Sequence, residues 1–157
     1  MHIEPYSEKY TNEIIALILD IQNTEARIAL PLSEQPDLLD IPRYYRQGGG
    51  EFFVAVSDGK VIGTIGLMVR EQHCAILKKF FVHRDFRAQG IGLTLYSELL
   101  RHAKRQGVQH IFLDTPSVAR VSHRFYEKAG FHRIRAEELP IAYSYPDRNS
   151  LLYRLDI

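Results

Sequence analysis

Three β-rich runs set close together, Glu51–Val56, Lys60–Val69 and Cys74–Val82, constrain this chain most. Asp58-Gly59 separates the first two, and both residues tolerate the positive φ that a type I′ hairpin turn needs. The polar turn Arg70–His73 separates the second from the third. Residues 51–82 are therefore predicted to form an antiparallel meander. Gly63 and Gly66 lower strand propensity inside the middle run and are the places for a bend or a bulge.

The meander has helical patterns on both sides. His2–Pro5 reads as a short first strand. Glu8 to about Gln22 reads as a helix with an apolar stripe of Ile14, Ile15, Ile18 and Leu19, and Ser7 can cap it. Pro36 can open a second helix, which Pro42 interrupts or restarts, and Gly48–Gly50 ends that element. After the meander a helix runs to about Gln106, with Leu95, Leu99, Leu100 and Ala103 on its apolar face and Gly107 as its stop. Val108–Leu113 is the next strand. Thr115-Pro116 or Ser117 can cap a further helix, in which Val121, Phe125 and Ala129 share a face and Gly130 ends the pattern. Phe131–Arg135 and Leu151–Ile157 read as strands, and Glu138–Ser150 as loop with room for one short strand. This order gives a mixed sheet with helices on its faces, in the α/β or α+β class. No repeat or linker divides it, so residues 1–157 are expected to be one domain.

The strongest local signal is the loop Arg87-Ala88-Gln89-Gly90-Ile91-Gly92 between a strand and a helix. The first amides of a helix have no intrahelical acceptor and point outward together. Glycines allow close backbone approach, and the helix dipole favours negative charge. Gln89 to Gly92 can thus wrap a diphosphate, with Arg84 or Arg87 across its outer oxygens. The loop is neither GxxxxGK[ST] nor GxGxxG, since Leu95 stands at the third glycine. A glycine pair before a helix also serves as a simple tight turn, so the loop alone does not decide.

Charge narrows the choice of partner. The net charge of +1 argues against nucleic acid. Its distribution is uneven. Residues 1–40 hold eight acids and two bases, whereas residues 78–105 hold seven bases and two acids. A basic middle suits a phosphate-bearing cofactor, although Arg101, Lys104 and Arg105 read as a solvated helix face. Cys74 is the single cysteine, so neither an internal disulfide nor a cysteine-based zinc site is expected, and no metal is assigned. The polar start MHIEPYSEKYTNE has no signal-peptide pattern, and the apolar run Ile14–Leu19 is too short to cross a bilayer. A cytoplasmic protein without a membrane partner is expected. Dimerisation through a sheet edge is open.

The middle of the chain resembles the Gcn5-related N-acetyltransferase (GNAT) family. Ala75–Leu100 looks like its cofactor motif, whose core [Q/R]-x-x-G-x-[G/A] is matched by Arg87, Gly90 and Gly92. Ser122–Phe131, SHRFYEKAGF, looks like the second motif, in which a tyrosine precedes a helix-ending glycine and an aromatic. A strand, HIFLD, separates the two. The resemblance covers about residues 51–135. It implies a twisted, mostly antiparallel central sheet flanked by helices, with a V-shaped opening between the strand ending near Val82 and the strand Ile111–Asp114. Acetyl-CoA would lie there, its pantetheine arm along Phe80, Phe81 and Val82 and its pyrophosphate on Arg87, Ala88, Gln89, Gly90, Ile91 and Gly92. Side-chain parity sends Phe80 and Val82 to one face and Lys79 and Phe81 to the other.

The implied chemistry is direct attack of a neutral amine on the thioester through a tetrahedral intermediate. Tyr126 corresponds to the tyrosine that protonates the leaving thiolate, a sensible transfer between groups of comparable pKa. Read without the resemblance, Tyr126 is a half-buried aromatic beside Ser122. Where many members have an asparagine seven residues before this tyrosine, Ala119 stands here, and Ser117 or Ser122 can replace its pantetheine contact. The glutamate some members use as base is absent from Ile76–Phe80, which leaves Glu25, Asp114, His73, His123 or water. Substrate selection falls to residues 20–45, the region of Met68 and the loop Glu138–Ser150. Lys79, Arg27 or Arg43 would suit an amine bearing a carboxylate; Glu25, Asp37 and Asp40 would suit a polyamine or peptide N-terminus. A small-molecule amine is the expected acceptor. A protein or peptide acceptor, a non-catalytic acyl-CoA-binding module, a nucleotide-binding enzyme and a nucleic-acid-binding domain are the alternatives.

Overall fold

The structure is a computed structural model that describes residues 1–146 and 149–157. His2–Pro5 forms β1 and pairs antiparallel with β2 (Glu51–Ser57). Asp58 and Gly59, at φ of 51° and 75°, turn the chain into β3 (Lys60–Val69), as the type I′ expectation requires. Gln72 and His73, also at positive φ, turn it again into β4 (Cys74–Val82). β5 (His110–Pro116), β6 (His132–Ile134) and β7 (Ser150–Asp156) complete a seven-stranded sheet of order β1-β2-β3-β4-β5-β7-β6. Every pairing is antiparallel except β4 with β5.

Alternation along the strands divides the core by face. Phe53 and Ala55 join the cluster under α2 (Ile91–Arg105) and α3 (Arg120–Lys128); Phe52, Val54 and Val56 join the cluster under α1 (Thr11–Leu19). A third, smaller cluster of Cys74, Ile76, Phe112 and Ile141 lies beneath the loop before β7. α2 buries Ile91, Leu95, Tyr96, Leu99 and Ala103, each large side chain contributing about 1.5–3 kcal/mol. It ends as expected at Gly107, with the Val108 amide returning to the Ala103 carbonyl at 3.0 Å. That bond keeps Val108 on the helix end, so β5 starts at His110 rather than Val108.

The first fifty residues depart most from expectation. The long first helix is a 3-10 turn (Glu8–Tyr10), then α1, then a π-helical segment (Asp20–Glu25). Ser7 precedes it without a side-chain cap. The second helix is only a 3-10 turn (Pro36–Leu39) and a π-helical turn (Pro42–Arg46), because Pro42 breaks the hydrogen-bond ladder between them. At α3, Ala119 holds the N-cap position, with neither Thr115 nor Ser117 capping. Val121 is 74% exposed, so the core face of α3 is Phe125, Tyr126 and Ala129 without it. Between residues 138 and 150 no strand is present among the described residues, and Asp147 and Arg148 of that loop lie outside them. No described helix is long and apolar enough to cross a membrane.

Candidate active site

β4 and β5 pair only at Cys74↔His110, Ala75↔Ile111 and Ile76↔Phe112. Beyond that point β5 keeps its register with β7 as far as Pro116↔Ser150, while β4 stays with β3 as far as Gly63↔Val82. The two strands therefore fork, and the β4 edge from Leu77 to Val82 faces an opening instead of a strand. Unpaired strand edges are what an extended, amide-bearing molecule can join.

A bulge sharpens the fork. In the β3–β4 register Thr64 opposes Phe81 and Gly66 opposes Lys78, so two residues of β4, Lys79 and Phe80, stand against Ile65. Lys79 takes up the surplus at φ 55°, and the Thr64 hydroxyl donates to its carbonyl at 2.7 Å. The bulge puts Phe80 and Val82 with the α2/α3 cluster and Phe81 with the α1 cluster, as parity predicts. Lys78 and Lys79 both reach a second cavity beyond it.

The cleft at the fork measures about 490 Å³. β4, the π-helical segment, the end of β5 and the start of α3 line it, and among the predicted site residues it receives Phe80, Phe81, Val82, Arg87, Ser122 and Tyr126. Its mouth leads to the loop before α2. Gly90 is the N-cap at φ 81°, and Thr94 is the first residue of α2 to bond back, to the Gly90 carbonyl at 3.0 Å. The amides of Ile91, Gly92 and Leu93 accordingly precede any intrahelical acceptor. A Cβ at Gly90 would meet nothing within 4 Å, so its requirement is conformational: φ of this sign suits glycine. Ala88 is also left-handed, at φ 61°, and Ala88, Gln89 and Gly90 are exposed. The Ile91 side chain is buried in the core, leaving only its backbone for a ligand. These residues fit a diphosphate.

Arg87 is differently disposed from the sequence expectation. Its guanidinium bonds both carboxylate oxygens of Glu25 at 2.6 and 3.0 Å, and its Nε donates to the Val82 carbonyl at 2.9 Å. The ion pair spans the cleft mouth from the π-helical segment to the loop. Arg87 also lowers the Glu25 pKa, chiefly through that hydrogen bond. Arg84 is exposed and does not line the cleft.

Tyr126 is 6% exposed and sits among Phe80, Phe125, Phe131 and Tyr153, with ring centroids 5.6–6.2 Å away. It still lines the cleft. Burial, with the Asp114 carboxylate and then the Tyr96 phenol adding to it, pushes its pKa upward, so the phenol keeps its proton. Asp114 lies past the fork on β5. Its pKa is raised by burial, against the opposing pull of Lys78 and Lys79 on the facing strand. The Tyr143 hydroxyl donates to it at 3.4 Å. An acid held protonated and a carboxylate made more basic thus share one cleft, the pattern expected of acid–base partners.

The other base candidates separate by position. His73 lies at the closed end of the β4–β5 pair, where its carbonyl accepts from Gln109 and His110. The His123 ring bonds the Pro116 carbonyl at 2.9 Å and does not line the cleft. Glu25 lines it but is held by Arg87. Ala119 and Ser122 line the cleft wall, whereas Ser117 does not. No group of three or more His, Cys, Asp or Glu suited to a metal occurs among the described residues.

A second cavity of about 620 Å³ shares Lys78 and Lys79 with the first. Residues from the first forty, Met68 and the loop carrying Tyr143 and Tyr145 line it, the segments assigned to substrate selection from sequence. Arg27, Asp40 and Arg43 do not, and Tyr45 is buried in the core.

Comparison with known proteins agrees with this geometry. Residues 15–131 match the Acetyltransferase (GNAT) family. An acetyltransferase of that family from Staphylococcus aureus superposes with a TM-score of 0.95 at 31% identity, over 99% of this chain and 98% of that one. A probable N-acetyltransferase camello from Xenopus tropicalis is 32% identical over 77% of this chain and 57% of its own length. An N-acetylaspartate synthetase from the same organism is 33% identical over 65% of this chain and 38% of its own. The chain thus spans less than two thirds of these two curated relatives. The family match, the near-complete superposition and the forked sheet together place the chain in the GNAT acetyltransferase family.

Proposed function

We propose that this protein transfers an acetyl group from acetyl-CoA to the primary amine of a small molecule. The observation that carries the reading is the pairing of Asp114 and Tyr126 in a cleft walled by the open edge of β4. When bound, the cofactor supplies a thioester as acyl donor. Backbone groups of Leu77–Val82 hold the arm, Ser122 and Ala119 flank it, and the amides of Gln89–Gly92 receive the diphosphate. Asp114 accepts the proton of the incoming ammonium, so the amine attacks as a free base. Burial raises the affinity of Asp114 for that proton. Tyr126 keeps its proton at neutral pH and delivers it to the departing thiolate, and the second proton lost by the nitrogen as the amide forms restores the phenol.

The relatives support an amine acceptor of modest size. One set is named for making N-acetylaspartate, whose acceptor is an amino acid. The second cavity is large enough for such a molecule and opens directly onto Asp114's neighbours Lys78 and Lys79.

The test is thiol release from acetyl-CoA against amino acids, polyamines, aminoglycosides and short peptides. Tyr126→Phe and Asp114→Asn should each lower kcat by about 10²–10⁴-fold, the usual worth of a positioned acid or base. Both should leave coenzyme A binding by calorimetry near the wild-type value. Wild-type turnover in both variants would refute the assigned roles. Binding of acetyl-CoA without thiol release from any amine would favour the binding-module alternative.

A further inference from the structure

The second cavity has an unequal charge inventory. Lys79 is already committed: its ammonium donates to Gln35 Oε1 at 2.6 Å and lies 3.7 Å from Asp37 Oδ2. Gln35 in turn exchanges two amide bonds with Gln22, at 3.0 and 2.8 Å, and Asp37 accepts from the buried Tyr45 hydroxyl at 2.7 Å. Arg70 is committed as well, donating to the Ala142 carbonyl at 2.8 Å and reaching Glu71 at 3.4 Å. It therefore fastens the Tyr143 loop to the end of β3.

Lys78 differs. It lines both cavities, and its ammonium lies 5.9 Å from the centre of the Tyr143 ring. Among the described residues it forms no ion pair with any carboxylate. Yet its charge acts on Asp114 across the fork, favouring the ionised carboxylate against burial. An ammonium and a carboxylate thus line one open cleft, where a zwitterion can enter with its charges reversed. On the far side of Lys78, in the second cavity, Tyr44, Met68, Ile76, Tyr143 and Tyr145 offer apolar and aromatic surface.

We infer that Lys78 is a carboxylate-binding residue, and that the acceptor is an α-amino acid with an apolar or aromatic side chain. The α-ammonium is set on Asp114, the α-carboxylate on Lys78, and the side chain runs toward the tyrosines. This deepens the acetyl-transfer reading and rests on it. Lys78 is a specificity residue here: it touches the acceptor's carboxylate and no reacting atom.

The experiment compares each of phenylalanine, tyrosine and leucine with its decarboxylated amine, as the ratio of their kcat/KM values. In the wild type the ratio should favour the amino acid by about tenfold to a hundredfold, the range for a hydrogen bond to a charged group. Lys78→Met should bring the ratio to about one, mainly through KM of the amino acid, and Lys78→Arg should restore most of it. A wild-type ratio near one, or a ratio unchanged in Lys78→Met, overturns the assignment. Coenzyme A binding is measured alongside by calorimetry. If amines without a carboxylate are acetylated but no carboxylate-bearing amine is, the Lys78 site falls and the acetyl-transfer reading stands. If the cofactor does not bind, both fall.

Discussion

Replacing Thr64 by valine tests how the fork is made. Thr64 is fully buried, and its hydroxyl donates at 2.7 Å to the carbonyl of Lys79, the residue that absorbs the bulge at φ 55°. Valine has nearly the shape of threonine, so no cavity forms and the loss is confined to one donor. A buried carbonyl left without its partner costs about 1–3 kcal/mol. The left-handed backbone at Lys79 already costs about 1–2 kcal/mol for a residue with a Cβ, so the bulge has little margin. For a domain of this size each kcal/mol lowers Tm by about 2–4 °C, which gives a fall of about 2–12 °C by circular dichroism. Coenzyme A affinity should fall as well, because Phe80–Val82 are aimed by the bulge. Thr64→Ser keeps the hydroxyl and loses one methyl, about 0.8 kcal/mol of burial, and should retain wild-type affinity. A valine variant with wild-type Tm and wild-type affinity would show that the Lys79 carbonyl does not depend on Thr64, and the account of the fork would be wrong.

Other changes probe the charges at the site. Because burial raises the Asp114 pKa, its ionised form is disfavoured in the fold; its contribution is fully present below the ordinary value of 3.8 and is lost as pH rises through the folded value. Asp114→Asn should therefore be more stable than the wild type at pH 7, with the gap closing on acidification, while activity is lost; a less stable variant at pH 7 would mean that attraction to Lys78 and Lys79 outweighs burial. Glu25→Gln should release Arg87 toward the diphosphate and tighten coenzyme A binding by up to about fivefold at low salt, the scale of one exposed charge pair. Weaker binding in calorimetry would instead make the pair a brace for the loop. Gly66→Ala would put a Cβ 2.5 Å from Tyr45 Cε1 and 3.0 Å from Phe52, and Tyr45 is held by Asp37, so overpacking should destabilise by about 1–3 kcal/mol in urea titration.

The parts of this fold that were legible in the sequence are those fixed locally. Asp58-Gly59 specifies its hairpin because two consecutive positive φ values suit few other pairs. Gly107 stops α2 and Gly90 starts it for the same conformational reason. The limits of β3 and β4 follow from β-rich runs ending in polar turns. What was not legible depends on distant partners. Nothing near Lys79 announces a left-handed residue in mid-strand; the bulge needs Thr64 opposite it. The π-helical segments need the sheet beneath them, since Pro36 and Pro42 only say that a regular helix cannot persist. Val121 keeps helical spacing with Phe125 and Ala129, yet the cleft lies over it and leaves it exposed. Of the four side-chain base candidates named from sequence, only tertiary placement separates Asp114 from Glu25, His73 and His123.

The uneven charge of the chain has a structural reason that composition did not supply. Two acids of the first forty residues are counterparts of two of the later bases: Glu25 holds Arg87 and Asp37 faces Lys79. A basic middle therefore does not by itself make a phosphate site, because two of its bases are neutralised by the N-terminal region. The diphosphate expectation rests more firmly on the first amides of α2, which have no intrahelical acceptor and no side-chain cap among the described residues. The same pairing explains why Lys78 stands out. It lies next to Lys79 at the bulge, yet Asp37 is matched to its neighbour, while Lys78 lines the cleft together with Asp114. Among the described residues its ammonium has no carboxylate ion-pair partner, and in a half-buried position that is disfavoured unless something fills the gap. An acceptor carboxylate would fill it, and the charge pattern of the chain thereby bears on which amines this site can use.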